Sequence, residues 1–216
     1  MYLSRVQVDT NNRRKLKTLT HLGAYHNWVE QAFPNEVANG ERGRHLWRID
    51  RLKGDEYLLV LSEEKPDLNL LECFGKKGTA ESKNYDSFLN SIVNGQSAYF
   101  RLTANPTISI PKPGQPRGTV YPILANAKQR AWLIKKSDSN GFKLNDDPLG
   151  DYAFDVVERE FSNLYHGHNN KVRISRVTFE GLLTVTDAEK FKLALTKGIG
   201  REKAYGMGLL TIIPEA

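Results

Sequence analysis

Residues 172–213, VRISRVTFEGLLTVTDAEKFKLALTKGIGREKAYGMGLLTII, contain the pattern that decides the fold. Apolar side chains alternate towards one face of the first part, which predicts a long strand over Val172–Val185. Asp187 can cap a following helix, which turns its apolar residues Phe191, Ala194 and Leu195 inward. A glycine-rich segment, 198–208, then leads into a final strand at Leu209–Ile213. The chain therefore finishes as strand, helix, strand.

Upstream of this stretch the same kind of pattern begins near Ser97. A strand is predicted around 99–102, a helix over Leu124–Lys136 and a second long strand over Tyr152–Leu164. The intervening residues 105–118 contain four prolines and two glycines, which predicts a loop. The second half thus reads strand-helix-strand-strand-helix-strand, a ferredoxin-like pattern with helices on one face of an antiparallel sheet.

The first half follows a similar order less regularly. Strands are predicted at 2–8, 46–52 and 57–61. A helix at 20–33 carries an apolar stripe at helical spacing, formed by Leu22, Tyr25, Val29, Ala32 and Phe33. Residues 66–95 show only short elements. We predict an α+β fold of two tandem ferredoxin-like (RRM-like) domains, 1–94 and 97–216. RNA-binding modules use this topology, but so do many unrelated proteins.

Composition narrows the class of protein. Of 216 residues, 39% are hydrophobic and none of the apolar runs approaches about 18 residues, so no membrane span is expected. Cys73 is the only cysteine, which excludes an intrachain disulfide and a cysteine-based zinc site. With no signal-peptide core at the N-terminus, we expect a cytoplasmic protein. The net charge of +6 favours an anionic partner such as nucleic acid, although a mildly basic protein without such a partner is equally compatible.

The glycine-rich segment lies between a helix and a strand, the reverse of the order in a dinucleotide-binding fingerprint. We therefore expect no cofactor. Gly198 and Gly200 would let the backbone approach a phosphate, and Arg201 and Lys203 would add positive charge. A tight turn that only packs the last strand is the alternative.

Histidines and basic groups are the remaining candidates for chemistry. His21 and His26 fall on opposite edges of the first helix's apolar stripe, where a half-covered side chain suits proton transfer or simple packing. No acidic cluster has the spacing of a two-metal nuclease, so no metal is expected. Basic residues recur in groups that could track phosphates or remain solvated: Arg13, Arg14, Lys15 and Lys17; Arg42, Arg44, Arg48 and Arg51; Lys171, Arg173 and Arg176.

Three segments are distinctive together and in this order. The first is 1–6 (MYLSRV) followed by a helix that contains His26 and closes at Phe33-Pro34; the second is 99–106 (YFRLTANP). The third is 179–183 (FEGLL) followed by the glycine-rich ending 198–210. In combination they resemble one family, the CasE endoribonucleases of type I-E CRISPR systems, and the resemblance covers the whole chain.

The resemblance implies a metal-independent endoribonuclease that cuts CRISPR precursor RNA at the base of a repeat hairpin. It implies attack by the 2′-hydroxyl, a 2′,3′-cyclic phosphate and 5′-hydroxyl as products, and retention of the product within the surveillance complex Cascade. The free protein is expected to be a monomer. The family's catalytic histidine lies seven residues before the Phe-Pro pair, which corresponds to His26.

The family's tyrosine three residues before that histidine is absent, because Gly23 stands there. Tyr25 or His21 could replace it, although Tyr25 also falls on the apolar stripe. We expect Arg201 and Lys203 near the RNA backbone, with Gly198 and Gly200 beside them. Further expected RNA contacts are Arg101, Lys171, Arg173 and Arg176. Arg101 could instead pair with a buried acid. A non-catalytic RNA-binding subunit of a ribonucleoprotein complex is the alternative function; a scaffold that contacts only proteins, or a metabolic enzyme of this fold, fits the sequence less well.

Overall fold

A computed structural model of the chain describes residues 1–40, 43–166 and 170–215. Arg42 and His168 lie outside the described residues, as does the side chain of Lys171.

The first half forms a four-stranded antiparallel sheet. Its elements in chain order are β1 (Tyr2–Gln7), α1 (Arg13–Thr18), α2 (Leu22–Gln31), α3 (Pro34–Asn39), β2 (Leu46–Leu52), β3 (Asp55–Ser62), α4 (Leu68–Leu71), β4 (Glu81–Asn84) and α5 (Asp86–Asn90). The strand order is β2-β3-β1-β4, with antiparallel pairing throughout. The first and third strands are therefore central, as in a ferredoxin-like sheet.

The second half repeats this strand order with additions. Its elements are β5 (Ser97–Ala104), β6 (Thr107–Ile110), β7 (Thr119–Pro122), α6 (Asn126–Ser139), β8 (Phe142–Leu144), β9 (Phe154–His166), β10 (Asn170–Val185), α7 (Ala188–Lys197), a 3-10 turn (Lys203–Tyr205) and β11 (Leu210–Pro214). The sheet order is β11-β5-β10-β8, and β9 also pairs with β10. This topology confirms the predicted α+β, ferredoxin-like fold.

One local prediction was wrong: residues 105–118 are not all loop, because β6 within them pairs with β7 as a separate antiparallel hairpin. The helix predicted over 20–33 is present as α2, Leu22–Gln31. Pro34 was expected to terminate this helix but occupies the first turn of α3 instead. A proline fits there because the first turn of a helix needs no N–H from it.

The cores of the two halves extend into one another. Leu46 and Leu61, from the first sheet, are fully buried in the core of the second half. Leu164, Ile174 and Met207, from the second half, are buried in the core that contains Trp28 and Val29 of α2. All strands of the first sheet precede residues 95–96 in the chain, and all strands of the second sheet follow them. Because each core also contains residues of the other half, the predicted domain boundary between residues 94 and 97 stays a prediction.

Candidate active site and nucleic-acid interface

Helix α2 places His26 at the edge of the first half. Its N-terminus is capped by His21, whose Nδ1 accepts a hydrogen bond from the backbone N–H of Ala24 at 3.3 Å. The helix buries Leu22, Trp28 and Val29. The His26 side chain remains 31% exposed, as expected for a position on the edge of the apolar stripe.

The glycine-rich segment folds back onto the first half. Gly206 has φ +76°, and a Cβ there would lie 2.6 Å from the Trp47 ring, so only glycine fits. The Trp47 indole N–H donates to the Ala204 carbonyl at 2.9 Å. Gly198 packs in the same way on Leu46, where a Cβ would be 2.9 Å from Cδ2. For Gly198 and Gly206 the packing explains the glycine without any phosphate.

Residues from both halves enclose a cleft of about 620 Å³ beside His26, which we call the His26 cleft. It is lined by His26, Glu30, Gly43, Arg44, His45 and 200–204. The Tyr205 ring lies edge-on to the His26 ring with centroids 5.6 Å apart. The structure thus brings His26 together with Gly200, Arg201 and Lys203 of the predicted site.

Three cations give the His26 cleft its positive charge: Arg44, Arg201 and Lys203. The Lys203 ammonium donates to the Lys197 carbonyl at 2.7 Å. Burial lowers the pKa of Lys203, and the positive charges of Arg44 and Lys136 add to this effect. A phosphate entering the cleft would relieve this repulsion among the cations.

Glu30, His45 and Glu36 form a row of hydrogen-bonded side chains beside His26. Glu30 Oε1 is 3.8 Å from His26 Nδ1 and 2.9 Å from His45 Nδ1. His45 Nε2 is 3.2 Å from Glu36 Oε1, and the other Glu36 oxygen accepts the Gly43 N–H at 2.7 Å. The His45 ring is stacked on Phe33 with centroids 3.8 Å apart. Burial acts to lower the pKa of His45, but the hydrogen bonds and charges of Glu30 and Glu36 outweigh burial and raise it.

The structure places Tyr25 in a different cleft from His26. Tyr25 stacks on Trp47 with centroids 5.9 Å apart, and the cleft that it lines contains Arg51, Glu56, Arg101 and Arg176 but not His26. Burial, and then the charge of Glu56, raise the pKa of its hydroxyl. Tyr25 as a second catalytic group stays a prediction, and His21 is engaged as the helix cap.

Of the remaining predicted RNA contacts, the three arginines have partners within the protein, and the side chain of Lys171 lies outside the described residues. Arg101 forms ion pairs with Asp50 at 3.3 Å, Glu158 at 3.7 Å and Glu180. The sequence left open a pairing of Arg101 with a buried acid, but these carboxylates are 21%, 47% and 40% exposed. Arg176 pairs with Glu160, and the exposed Arg173 guanidinium lies 4.2 Å from the centre of the Phe161 ring.

One basic residue does not have the expected exposure. Arg48 is only 1% exposed, so it cannot contact phosphates at the protein surface. Its guanidinium forms two bonds to Asp50, at 2.6 and 2.8 Å, and donates to the carbonyls of Arg101 and Leu209. It is a structural residue that joins β2 to β5 and to the start of β11.

Sequence reasoning missed Glu30, His45 and Tyr205. Glu30 had a local signal, since it lies one helical turn after His26. His45 had none, because its partners lie 15 and 9 residues away across a helix and a turn. Within residues 1–40, 43–166 and 170–215, no group of three His, Cys, Asp or Glu side chains could hold a metal ion, and no helix is long and apolar enough to cross a membrane.

The fold and the site together define a protein of two ferredoxin-like units that enclose a basic cleft containing a histidine. The chain belongs to the family of CRISPR associated proteins, whose model matches residues 1–214.

Among curated proteins, the CRISPR-associated endoribonuclease Cse3 of Thermus thermophilus is 27% identical over 99% of this chain and 100% of its own length. The Cascade subunit CasE of Escherichia coli is 28% identical, with the same coverage. Among solved structures, the endoribonuclease Cse3 bound to a 19-nucleotide RNA superimposes with a TM-score of 0.79 at 25% identity, over 99% of this chain and 100% of that one. The Cas6e protein of Escherichia coli shares the fold, with a TM-score of 0.68 at 24% identity over the full length of both chains.

Proposed function

We propose that this protein is an endoribonuclease that binds the hairpin of a CRISPR repeat and cuts precursor CRISPR RNA at the hairpin base. The observation that carries the proposal is the placement of His26 in one cleft with Arg44, Arg201 and Lys203. Such a cleft pairs a proton-transfer group with charges that attract a phosphate. The similarity to the Cse3 endoribonuclease, one structure of which contains RNA, supports the same activity.

The reaction that fits these side chains needs no metal. The 2′-oxygen of the RNA attacks the adjacent phosphorus, the new O–P bond replaces the bond to the 5′-oxygen, and a 2′,3′-cyclic phosphate and a 5′-hydroxyl result. One proton leaves the 2′-hydroxyl and another reaches the departing oxygen. His26 transfers one of these protons, as base or as acid, while the three cations of the cleft stabilise the extra negative charge on the phosphate oxygens.

We further propose that the protein keeps its cut RNA and assembles with the other subunits of Cascade, as the name of the Escherichia coli relative indicates for that protein. We propose a cytoplasmic location and a monomeric free state.

A second candidate function is RNA binding without cleavage. The observation that favours it is Gly23, which stands where the family's tyrosine is expected. A Cβ at Gly23 would lie 3.1 Å from two atoms of the His21 ring, so the glycine gives His21 room to cap α2. A chain that has exchanged a catalytic side chain for a helix cap would bind the hairpin and leave it intact.

Cleavage of the cognate repeat hairpin by purified protein in excess EDTA tests the proposal. We expect one cut at the hairpin base and a cyclic-phosphate end, with His26→Ala binding as tightly but cutting at least 100-fold more slowly, in line with the roughly 10²- to 10⁴-fold contribution of general acid–base catalysis. Equal cutting by His26→Ala would remove His26 from the reaction. Tight binding by the wild type without any cut would establish the second candidate, and cutting that stops in EDTA would contradict the metal-free reaction.

A further inference from the structure

We infer that Glu30 is the positioning residue for His26, and that His45 in turn holds Glu30 in place and moderates its charge. The inference rests on the proposed function only in its consequence for cleavage. The arrangement of the three side chains, and their effect on one another's protonation, can be measured in the protein without RNA.

The geometry makes Glu30 the link between the two histidines. Its Oε1 atom lies within ion-pair distance of Nδ1 on both rings, 3.8 Å for His26 and 2.9 Å for His45. Glu30 is one turn along α2 from His26, so the helix itself fixes this approach. Its side chain is 27% exposed, which keeps its charge only partly screened by water.

His45 is built firmly into the protein. Its side chain is 2% exposed and is held by Glu30 on one nitrogen, by Glu36 on the other and by Phe33 across the ring face. The Gly43 N–H fixes Glu36 in turn. Two carboxylates on one imidazole require a donor at each nitrogen, which is the protonated form. The raised pKa of His45 agrees with this assignment.

The consequence for His26 is a defined tautomer and proton affinity. A carboxylate on the Nδ1 side favours a proton on Nδ1, so Nε2 is the atom that exchanges a proton with the RNA. Negative charge at Glu30 stabilises the imidazolium that forms when His26 accepts a proton. Positive charge at His45 reduces this effect. Arg44, Arg201 and Lys203 across the cleft also oppose protonation of His26, whereas Glu36 and Glu202 favour it, and Tyr205 packs against the ring.

Glu30 and His45 should therefore affect His26 in opposite directions. Glu30→Gln removes the anion but retains an oxygen that accepts from His45, and it should lower the pKa of His26. His45→Asn removes the cation but keeps an amide N–H near the position of Nδ1, and it should raise the pKa of His26. If the substitutions only loosened the cleft, the pKa of His26 would move towards that of a solvated histidine in both variants. Shifts of opposite sign therefore indicate a specific effect of the two charges.

Nuclear magnetic resonance of the imidazole rings measures this in the full-length protein. The chain has five histidines, and the His26 signal is the one that His26→Ala removes. The control is Glu189→Gln, the same change on the exposed face of α7, where Glu189 pairs with Lys192. We expect a lower midpoint in Glu30→Gln, a higher one in His45→Asn and no change in the control. Unchanged midpoints in both variants, or shifts of the same sign, would overturn the inference.

If Glu30→Gln does not fold, Glu30→Asp replaces it in the titration. Glu30→Asp retains the charge but withdraws it by one methylene, and it should lower the His26 midpoint relative to the wild type; a midpoint equal to the wild type would count against the inference.

Single-turnover cleavage of the repeat hairpin gives the functional result. We expect Glu30→Gln to cut roughly tenfold or more slowly, a part of the gain that general acid–base catalysis provides, with a pH–rate profile displaced to lower pH. If the wild type cuts through His26 and Glu30→Gln matches it in rate and profile, the positioning role fails while the proposed function stands. If the wild type does not cut, the proposed function fails, and the ring titrations alone decide the arrangement of charges.

Discussion

At the scale of single residues, the cations of the His26 cleft differ in how the fold holds them. Lys203 is bonded to the Lys197 carbonyl, whereas Arg201 is exposed on the rim. Each phosphate contact displaces counterions from RNA, so affinity should fall steeply as salt rises. We predict that Arg201→Ala or Lys203→Ala weakens hairpin binding and reduces the slope of log affinity against log salt by about one. Filter binding at four or more salt concentrations measures both quantities.

Lys143→Ala is the matched control for this prediction. Lys143 is an exposed lysine on β8, outside the residues that line the His26 cleft. Lys143→Ala also removes one positive charge, and it should leave the slope of log affinity against log salt within error of the wild type. If Arg201→Ala and Lys203→Ala both bind like this control, the glycine-rich segment has a structural role only.

The sequence indicated single residues of the site but not the pairs that they form. The helix edge offered both His21 and His26, and the family resemblance selected His26 and placed Arg201 and Lys203 near the RNA; the structure brings these three into one cleft. The contact of Glu30 with His45 depends on how α3 turns the chain back towards α2, which no local pattern encodes. The prediction for Arg48 was wrong because charge alone does not reveal a buried residue that is bonded on all sides.

At the scale of elements, the segment between α7 and β11 joins the two halves by close packing. We predict that Gly206→Ala destabilises the protein by about 3 kcal/mol. A left-handed conformation costs an alanine about 1–2 kcal/mol, and forcing a methyl group against the Trp47 ring adds overpacking of about 1–3 kcal/mol. For a chain of this size, the melting temperature should fall by about 6–12 °C. Thermal unfolding followed by circular dichroism measures the change.

Gly40→Ala separates the two contributions. Gly40 also has a positive φ, +69°, but a Cβ there meets nothing within 4 Å. We expect only the backbone cost of about 1–2 kcal/mol. Equal losses in the two variants would mean that the Trp47 contact does not restrict residue 206.

Elements with strong periodicity were predicted well, and those that depend on pairing were not. Strand β2 matches its prediction, because its apolar residues and flanking turn are local signals. Trp28 was absent from the predicted stripe of α2, yet it is fully buried and its indole N–H donates to the Leu71 carbonyl at 3.0 Å. Strand β6 lay within the predicted loop, because it acquires its extended form by pairing with β7 across a Pro/Gly-rich turn.

At the scale of the whole molecule, the shared cores imply that the halves stabilise each other. Residues of the first sheet complete the second core, and residues of β9, β10 and the glycine-rich segment complete the first. The His26 cleft requires both halves, since α2 and residues 43–45 form one wall and residues 200–204 the other. A substitution that weakens the contact between the halves should therefore also alter the His26 cleft.

Arg48 provides the direct test of this coupling. Its guanidinium crosses from β2 to the carbonyls of Arg101 and Leu209 at 2.9 and 2.8 Å. Replacing it by methionine preserves much of the volume but leaves those carbonyls and Asp50 without their main donor. Breaking a buried pair in this way costs about 3–5 kcal/mol.

We therefore predict that Arg48→Met lowers the melting temperature of the whole chain in one transition and weakens hairpin binding, although Arg48 does not line the His26 cleft. The matched control is Arg51→Met, three residues along the same strand, where the side chain is 75% exposed and pairs with Glu56. An exposed pair contributes at most about 1 kcal/mol, so this variant should unfold like the wild type. Two separate unfolding transitions in Arg48→Met, with hairpin affinity retained, would show that the halves are stable alone and that the cleft does not depend on their contact at Arg48.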